Sequence, residues 1–332
     1  MNFTEKLISK VLITLLFSIL FFNFYTPISD IDEVFYKPKY EVEVQENVIY
    51  GYGLSHDSYK LKNPVEIPLK LDAYVPKNDF KNRPILVLIH GGGFRSGDKK
   101  KMTQYIHFSK YFASRGFVVF NINYRLLKDY GSIPEEWTNY INLNAPKNDL
   151  DRFKAVYPAI RDAKAAIRWI VANKTKFGVN TNYLTVGGGS AGGCSAVAIG
   201  LTPNEYYRDE LSVIEDMTLK TTNLNKNFTV KTILDFWGSK RCADAVNIIY
   251  GIEIYNKKNP SLFIAHGTND DVVPYHRALD LKEVYKKSGA PHVLYPLLGK
   301  GHGPWKAKVG SKSLGDLAFE FITEQQGIRV KF

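Results

Sequence analysis

Five runs of the chain, at residues 85–89, 117–120, 183–186, 233–236 and 262–265, are apolar at nearly every position. A strand with one wet face alternates apolar and polar residues, whereas a strand covered on both faces does not. Between the runs lie stretches with helical spacing at 105–115, 159–172, 191–201 and 276–287. Residues 292–295 read as a last strand and 314–325 as a last helix. Strand and helix alternate, which predicts an α/β fold: a mostly parallel central sheet with helices on both faces. Ahead of it, 41–45 and 68–75 alternate in polarity and predict two peripheral antiparallel strands, with Gly51, Gly53, Asn63 and Pro64 marking turns between them.

Two excursions interrupt this rhythm, at about 127–154 and 202–231. Long insertions in α/β proteins serve as lids or binding loops, or pack their aromatics on the body. Both readings stay open for the first, which carries Tyr130, Trp137 and Tyr140; the second is expected to pack. At the amino end, Lys6 and Lys10 precede a run at 11–22 that is apolar on every face, unlike the striped pattern of a core helix. No small-residue cleavage site follows, so residues 1–25 read as an uncleaved signal anchor, with a removed signal peptide and a secreted protein as the alternative. The flanking lysines keep that end cytoplasmic and put the remainder across the membrane. The expected organisation is a membrane-associated segment at 1–25, a linker at 26–40 and one domain at 41–328.

Composition changes this picture little. Of 332 residues, 45% are hydrophobic, enough for a sizeable core, and the formal net charge is +11. The lysines are scattered. Lys99-Lys100-Lys101 and Lys257-Lys258 read as solvated loops, without the interleaved aromatics of a nucleic-acid groove. The two cysteines, Cys194 and Cys242, have neither zinc nor redox-motif spacing. Two free thiols are expected, Cys194 as a small buried filler; a bridge is the alternative if the chain is exported.

The chemistry clusters where the strands end. Gly188-Gly189-Ser190-Ala191-Gly192 lies between a strand and a small-residue helix, the pattern of a nucleophile elbow. His90-Gly91-Gly92-Gly93-Phe94, His266-Gly267-Thr268-Asn269-Asp270-Asp271 and Gly301-His302-Gly303 follow three other strands. A serine hydroxyl is a weak nucleophile without an adjacent base. His302, in a glycine-rich loop, is the candidate base, and Asp270 the carboxylate that holds its tautomer. The N–H groups of Gly92, Gly93 and Ala191 are the candidate oxyanion hole. Asp271, whose side chain points the other way, and Asp235, at the end of an earlier strand, are the alternative acids. His56, His107, His276 and His292 read as surface or packing residues. His90 reads as a brace for its own loop, and His266 as a strand end that does not touch substrate. The glycine stretch at 187–193 lacks the Lys-Ser/Thr of a phosphate loop, and no metal cluster is apparent.

With these clusters in place the chain resembles the α/β-hydrolase superfamily, and more narrowly the carboxylesterase branch related to bifunctional feruloyl and acetylxylan esterases. The resemblance is carried by residues 71–76, 90–98, 122–126, 162–169, 188–193 and 266–274 and by Gly301-His302-Gly303. The chain is also similar to hormone-sensitive-lipase-type esterases through His90 to Gly93. It departs from them at Leu127-Lys128-Asp129, at Gly189, and in having no large helical cap, which argues against long-chain lipids. The resemblance implies a serine carboxylesterase for short acyl or aryl esters, small or carbohydrate-linked, working through an acyl-enzyme without a cofactor. An amidase or peptidase with the same triad, and a catalytically dead binding protein, are the alternatives.

Overall fold

In the computed structural model, residue 31 and residues 33–332 are described. The expected signal anchor therefore lies outside the described residues. Among these, no helix is long and apolar enough to cross a membrane.

The chain runs β1 (Val34–Phe35), β2 (Val42–Ser55), β3 (Val65–Pro76), β4 (Arg83–Ile89), α1 (Thr103–Ala113) and β5 (Val118–Ile122). The first insertion then forms α2 (Glu135–Asn144) and α3 (Leu150–Lys154). There follow α4 (Val156–Ala172), α5 (Lys174–Phe177), β6 (Val179–Gly189), α6 (Ala191–Leu201), β7 (Thr232–Phe236) and α7 (Arg241–Tyr250). The chain closes with β8 (Ser261–Gly267), α8 (His276–Ser288), β9 (His292–Leu297) and α9 (Leu314–Gln325). Eight strands form one sheet in the order β2-β3-β5-β4-β6-β7-β8-β9. Only β3 runs against its neighbours; every pairing from β5 to β9 is parallel.

The uniform apolarity of the central strands has the expected cause. In β4, Ile85, Val87 and Ile89 enter one buried cluster with residues of α4, α6, α7 and α8. Leu86 and Leu88 enter a second one with α1 and α9. Successive side chains of a strand point to opposite faces, so a strand covered twice has no polar position to spare.

Four expectations need correction. Gly51 and Gly53 are not turn residues but lie inside β2, which runs ten residues beyond the alternating stretch. Two register shifts against β3 hide the continuation. At Gly53 a Cβ would come within 2.7 Å of Arg125 Nε, so the glycine makes room for a guanidinium. The expected linker carries β1, which pairs with Val330–Lys331 and buries Val34 completely. Lys99 is not solvated: it is 1% exposed, with Nζ 2.7 Å from Asp72 Oδ1 and 3.0 Å from Asn47 Oδ1. Its partners lie on or beside β2 and β3, far away in sequence. Finally, Cys194 and Cys242 are joined as a disulfide, with Cα atoms 5.8 Å apart. The reason is α7, which sequence patterning missed: it packs against α6 and brings Cys242 over Cys194.

Both insertions pack on the body. Trp137 is 1% exposed and sits 4.9 Å from Tyr207 and 5.4 Å from Tyr157, ring to ring, joining the two excursions to α4. A buried bidentate pair, Arg125 with Asp162, ties the loop after β5 to α4 at 2.6 and 2.9 Å. Arg125 Nη1 also donates to the Leu54 carbonyl of β2 at 2.9 Å.

The disulfide closes a loop across 48 positions, for which loop-closure entropy gives about 4 kcal/mol of stabilisation. The double variant Cys194→Ala/Cys242→Ala is expected to lose stability on that scale in urea titrations. Native protein denatured without reductant is expected to take up no thiol alkylator; labelling of either cysteine would contradict the bridge.

Candidate active site

Each candidate residue occupies the carboxyl end of a strand, where open α/β sheets bind ligands. Ser190 joins β6 to α6 directly, at φ 58° and ψ −121°. A non-glycine residue in that region is strained and persists only where its surroundings enforce it. Here the enforcement is close packing. A Cβ at Gly188 or Gly192 would collide with the Ile89 carbonyl of β4, so both flanking positions must be glycine. Ser190 N–H donates to Phe236 O at 2.9 Å, pinning the turn to β7.

His302 lies in the loop after β9. Its Nε2 is 3.0 Å from Ser190 Oγ and its Nδ1 is 2.7 Å from Asp270 Oδ2. The carboxylate only accepts, so Nδ1 carries the proton and Nε2 is left to accept from the serine hydroxyl. Asp270, in the turn after β8, is 6% exposed and points inward. Its Oδ1 accepts the N–H groups of Val272 and Val273 at 2.9 and 2.8 Å. The structure thus brings Ser190, His302 and Asp270 into one hydrogen-bonded chain. Asp271 is exposed and takes no part.

The loop after β4 passes beside the serine, and a Cβ at Gly91 would lie 3.3 Å from Ser190 Cβ. Gly92 and Gly93 have φ of +113° and +63°, and a Cβ at Gly92 would run into the Ser96 carbonyl. His90 braces this loop as expected. Its ring stacks 4.3 Å from that of Tyr124, Nδ1 lies 2.7 Å from Gly91 O, and Tyr124 Oη donates to His90 O at 2.8 Å. Burial pushes the His90 imidazole down to about 4, so it stays neutral and keeps one hydrogen-bonding pattern.

Two residues near the site make contacts that the sequence does not reveal. Tyr105 on α1 is 1% exposed, and its hydroxyl accepts the Gly189 N–H at 2.9 Å. The same oxygen is held by the Gly91 N–H, and burial raises the phenol above its ordinary range. One oxygen thereby ties the glycine loop to the elbow. Only a tyrosine in a helical stretch was visible beforehand. The other residue is His266, which belongs to β8 and contacts Asp270.

Asp235 does not reach His302. It is wholly buried at the end of β7, packed against Gly193 and Gly238, with the Gly238 N–H as its backbone donor. Desolvation pushes its carboxyl up to about 7. Of the other histidines, His107 and His276 are exposed, while His56 and His292 bond backbone carbonyls. Among the described residues, no group of three or more His, Cys, Asp or Glu side chains is arranged to hold a metal ion.

Comparison with known proteins fits this geometry. The sequence model of the BD-FAE family matches residues 71–137 and 150–247, which include the glycine loop, the elbow and Asp235. Esterase LipC of Mycobacterium tuberculosis is 24% identical over 246 residues, 67% of this chain and 53% of LipC. The chain spans about half the length of this curated relative, and less of the next ones. A truncated carbohydrate esterase from gut microbiota superposes with a TM-score of 0.59 at 22% identity, over 89% of this chain and all of its own. Thermogutta terrifontis esterase 2, phosphoramylated by tabun, superposes with a TM-score of 0.55 at 25% identity, over 83% of this chain and 96% of its own. Sheet order, strained serine turn and these matches agree: the chain is an α/β-hydrolase, and the proteins it is similar to are esterases.

Proposed function

We propose that the protein is a serine carboxylesterase that hydrolyses short acyl or aryl esters, small or carbohydrate-linked, through an acyl-enzyme intermediate. The observation that carries this reading is the relay itself, with His302 Nε2 at 3.0 Å from Ser190 Oγ and Nδ1 at 2.7 Å from Asp270. In the first half-reaction Ser190 Oγ attacks the ester carbonyl carbon while His302 Nε2 takes the hydroxyl proton. The carbonyl oxygen gains the negative charge and is received by the N–H groups of Gly92, Gly93 and Ala191, each worth about 3 kcal/mol in the transition state. Collapse breaks the bond to the alcohol oxygen, which leaves with the proton from His302. Water, deprotonated by the same nitrogen, then releases the acid and restores Ser190.

Location belongs to the same proposal. The amino-terminal apolar run and a Cys194–Cys242 disulfide both suit a catalytic body held outside the cytoplasm, since such bridges persist in oxidising compartments. Fractionation of full-length protein with membranes supports the anchor; a soluble form with a new terminus near residue 26 points to cleavage instead.

Ser190→Ala is expected to lower turnover of p-nitrophenyl acetate by a factor on the order of 10⁶ with the fold retained. A fluorophosphonate is expected to label Ser190 alone, and labelling elsewhere contradicts the assignment. Comparison of p-nitrophenyl acyl esters, acetylated xylan and feruloyl esters then ranks the substrate classes.

The three candidate acids separate in the same assay. Asp270→Asn is expected to cost about 10⁴ in turnover, because the wrong tautomer of His302 is favoured. Asp271→Asn and Asp235→Asn are expected to stay active. Asp235 has its own signature in stability. Its carboxyl is raised from 3.8 to about 7 in the fold, so between those values the folded protein keeps a proton that the unfolded chain releases. That group's contribution therefore falls as pH rises through this window, and Asp235→Asn is expected to flatten that part of the stability curve. An unchanged slope in urea titrations contradicts the burial argument.

A further inference from the structure

The imidazole of His266 is wholly buried in β8, and no step above uses it. Its Nε2 lies 2.7 Å from the Val273 carbonyl oxygen and 3.3 Å from Asp270 Oδ2. A carbonyl oxygen only accepts, so Nε2 carries the proton, and that N–H is shared between the carbonyl and the carboxylate. Nδ1 has no partner among the described residues, and burial pushes the ring below its ordinary pKa, so it is neutral. The Tyr275 ring stands across from it, centroids 5.9 Å apart.

The distribution of donors on Asp270 is uneven. Oδ1 is held by two backbone N–H groups, at 2.9 and 2.8 Å. Oδ2 faces His302, which sits in a loop bounded by Gly299, Gly301 and Gly303 and is the group that Oδ2 has to orient. If His302 were the only donor on that side, the acid would be aligned by the residue it is meant to align. His266 supplies the independent reference, because its backbone is paired within the sheet, opposite Pro296 of β9.

We propose that His266 is a positioning residue for the catalytic acid: its fixed Nε2–H sets the rotation of the Asp270 carboxylate so that Oδ2 meets His302 Nδ1. The proposal rests on the serine-hydrolase reading. That reading fails on its own terms if Ser190→Ala leaves turnover intact, whatever His266 variants do.

The test uses His266→Leu, which removes the donor, and His266→Gln, whose amide nitrogen can replace Nε2. The leucine variant is expected to lose on the order of 10² in kcat with KM within about twofold, because the base is misaligned and substrate binding is untouched. Glutamine is expected to restore most of kcat. The low-field proton resonance of the His302–Asp270 hydrogen bond is expected in wild type and His266→Gln and to broaden or vanish in His266→Leu. A folded leucine variant with wild-type kcat and an unaltered resonance overturns the proposal, even if its Tm is lower. Should neither variant fold, nitrogen shifts of the wild-type protein decide: protonation of His266 at Nδ1 rather than Nε2 overturns the proposal as well.

Discussion

One backbone constraint governs the centre of this protein: Ser190 sits at φ 58°, in a region that costs a non-glycine residue roughly 1–3 kcal/mol. The strain survives because β6 passes straight into α6 with no loop between them and the turn is walled in by β4. Close approach of the Ile89 carbonyl forbids any side chain at Gly188 or Gly192. The result is a hydroxyl raised above the strand ends, and every other functional group is placed relative to it. The glycine loop leaves β4, next to β6 in the sheet, while Asp270 and His302 follow β8 and β9, beyond β7 on the other side. The order of strands thus decides which groups can meet.

The loops that meet there are held from behind by buried polar contacts rather than by their own rigidity. Lys99 with Asp72 anchors the chain after the glycine loop to β3, and Arg125 with Asp162 anchors the chain after β5 to α4. Such pairs gain little net stability over apolar replacements, but losing one partner leaves a buried charge exposed to nothing. Their value lies in fixing loop geometry. Tyr105 does the same with a neutral oxygen, joining the Gly189 and Gly91 amides. The Cys194–Cys242 bridge adds a covalent tie between α6 and α7, one helical turn past the nucleophile.

How much of this was legible beforehand follows from the range of each interaction. Doubly covered strands and the small-residue helix after Ser190 are local patterns, and the ends of α6 and α9 coincide with those read from spacing. The candidate residues were legible because glycine-rich turns at strand ends are local too, and the structure places Ser190, Asp270 and His302 together. What stayed hidden was set by distant partners. β2 looked short because bulges break its alternation. α7 is amphipathic but brief and follows a loop, so the approach of Cys242 to Cys194 had no sequence signature. Lys99 looked solvated within a charged run because Asp72 is far away along the chain. His266 looked inert because its contact with Asp270 depends on how the turn after β8 curls back over the strand.

In the proposed enzyme the strained serine turn, the His302–Asp270 relay and the glycine loop form one site around a single reacting carbon. A crystal structure of the protein inhibited by an organophosphate tests this most directly. Phosphorus is expected on Ser190 Oγ, with His302 within hydrogen-bond distance and the phosphoryl oxygen facing the N–H groups of Gly92, Gly93 and Ala191. Phosphorus on another residue, or a phosphoryl oxygen turned away from those amides toward solvent, would contradict it.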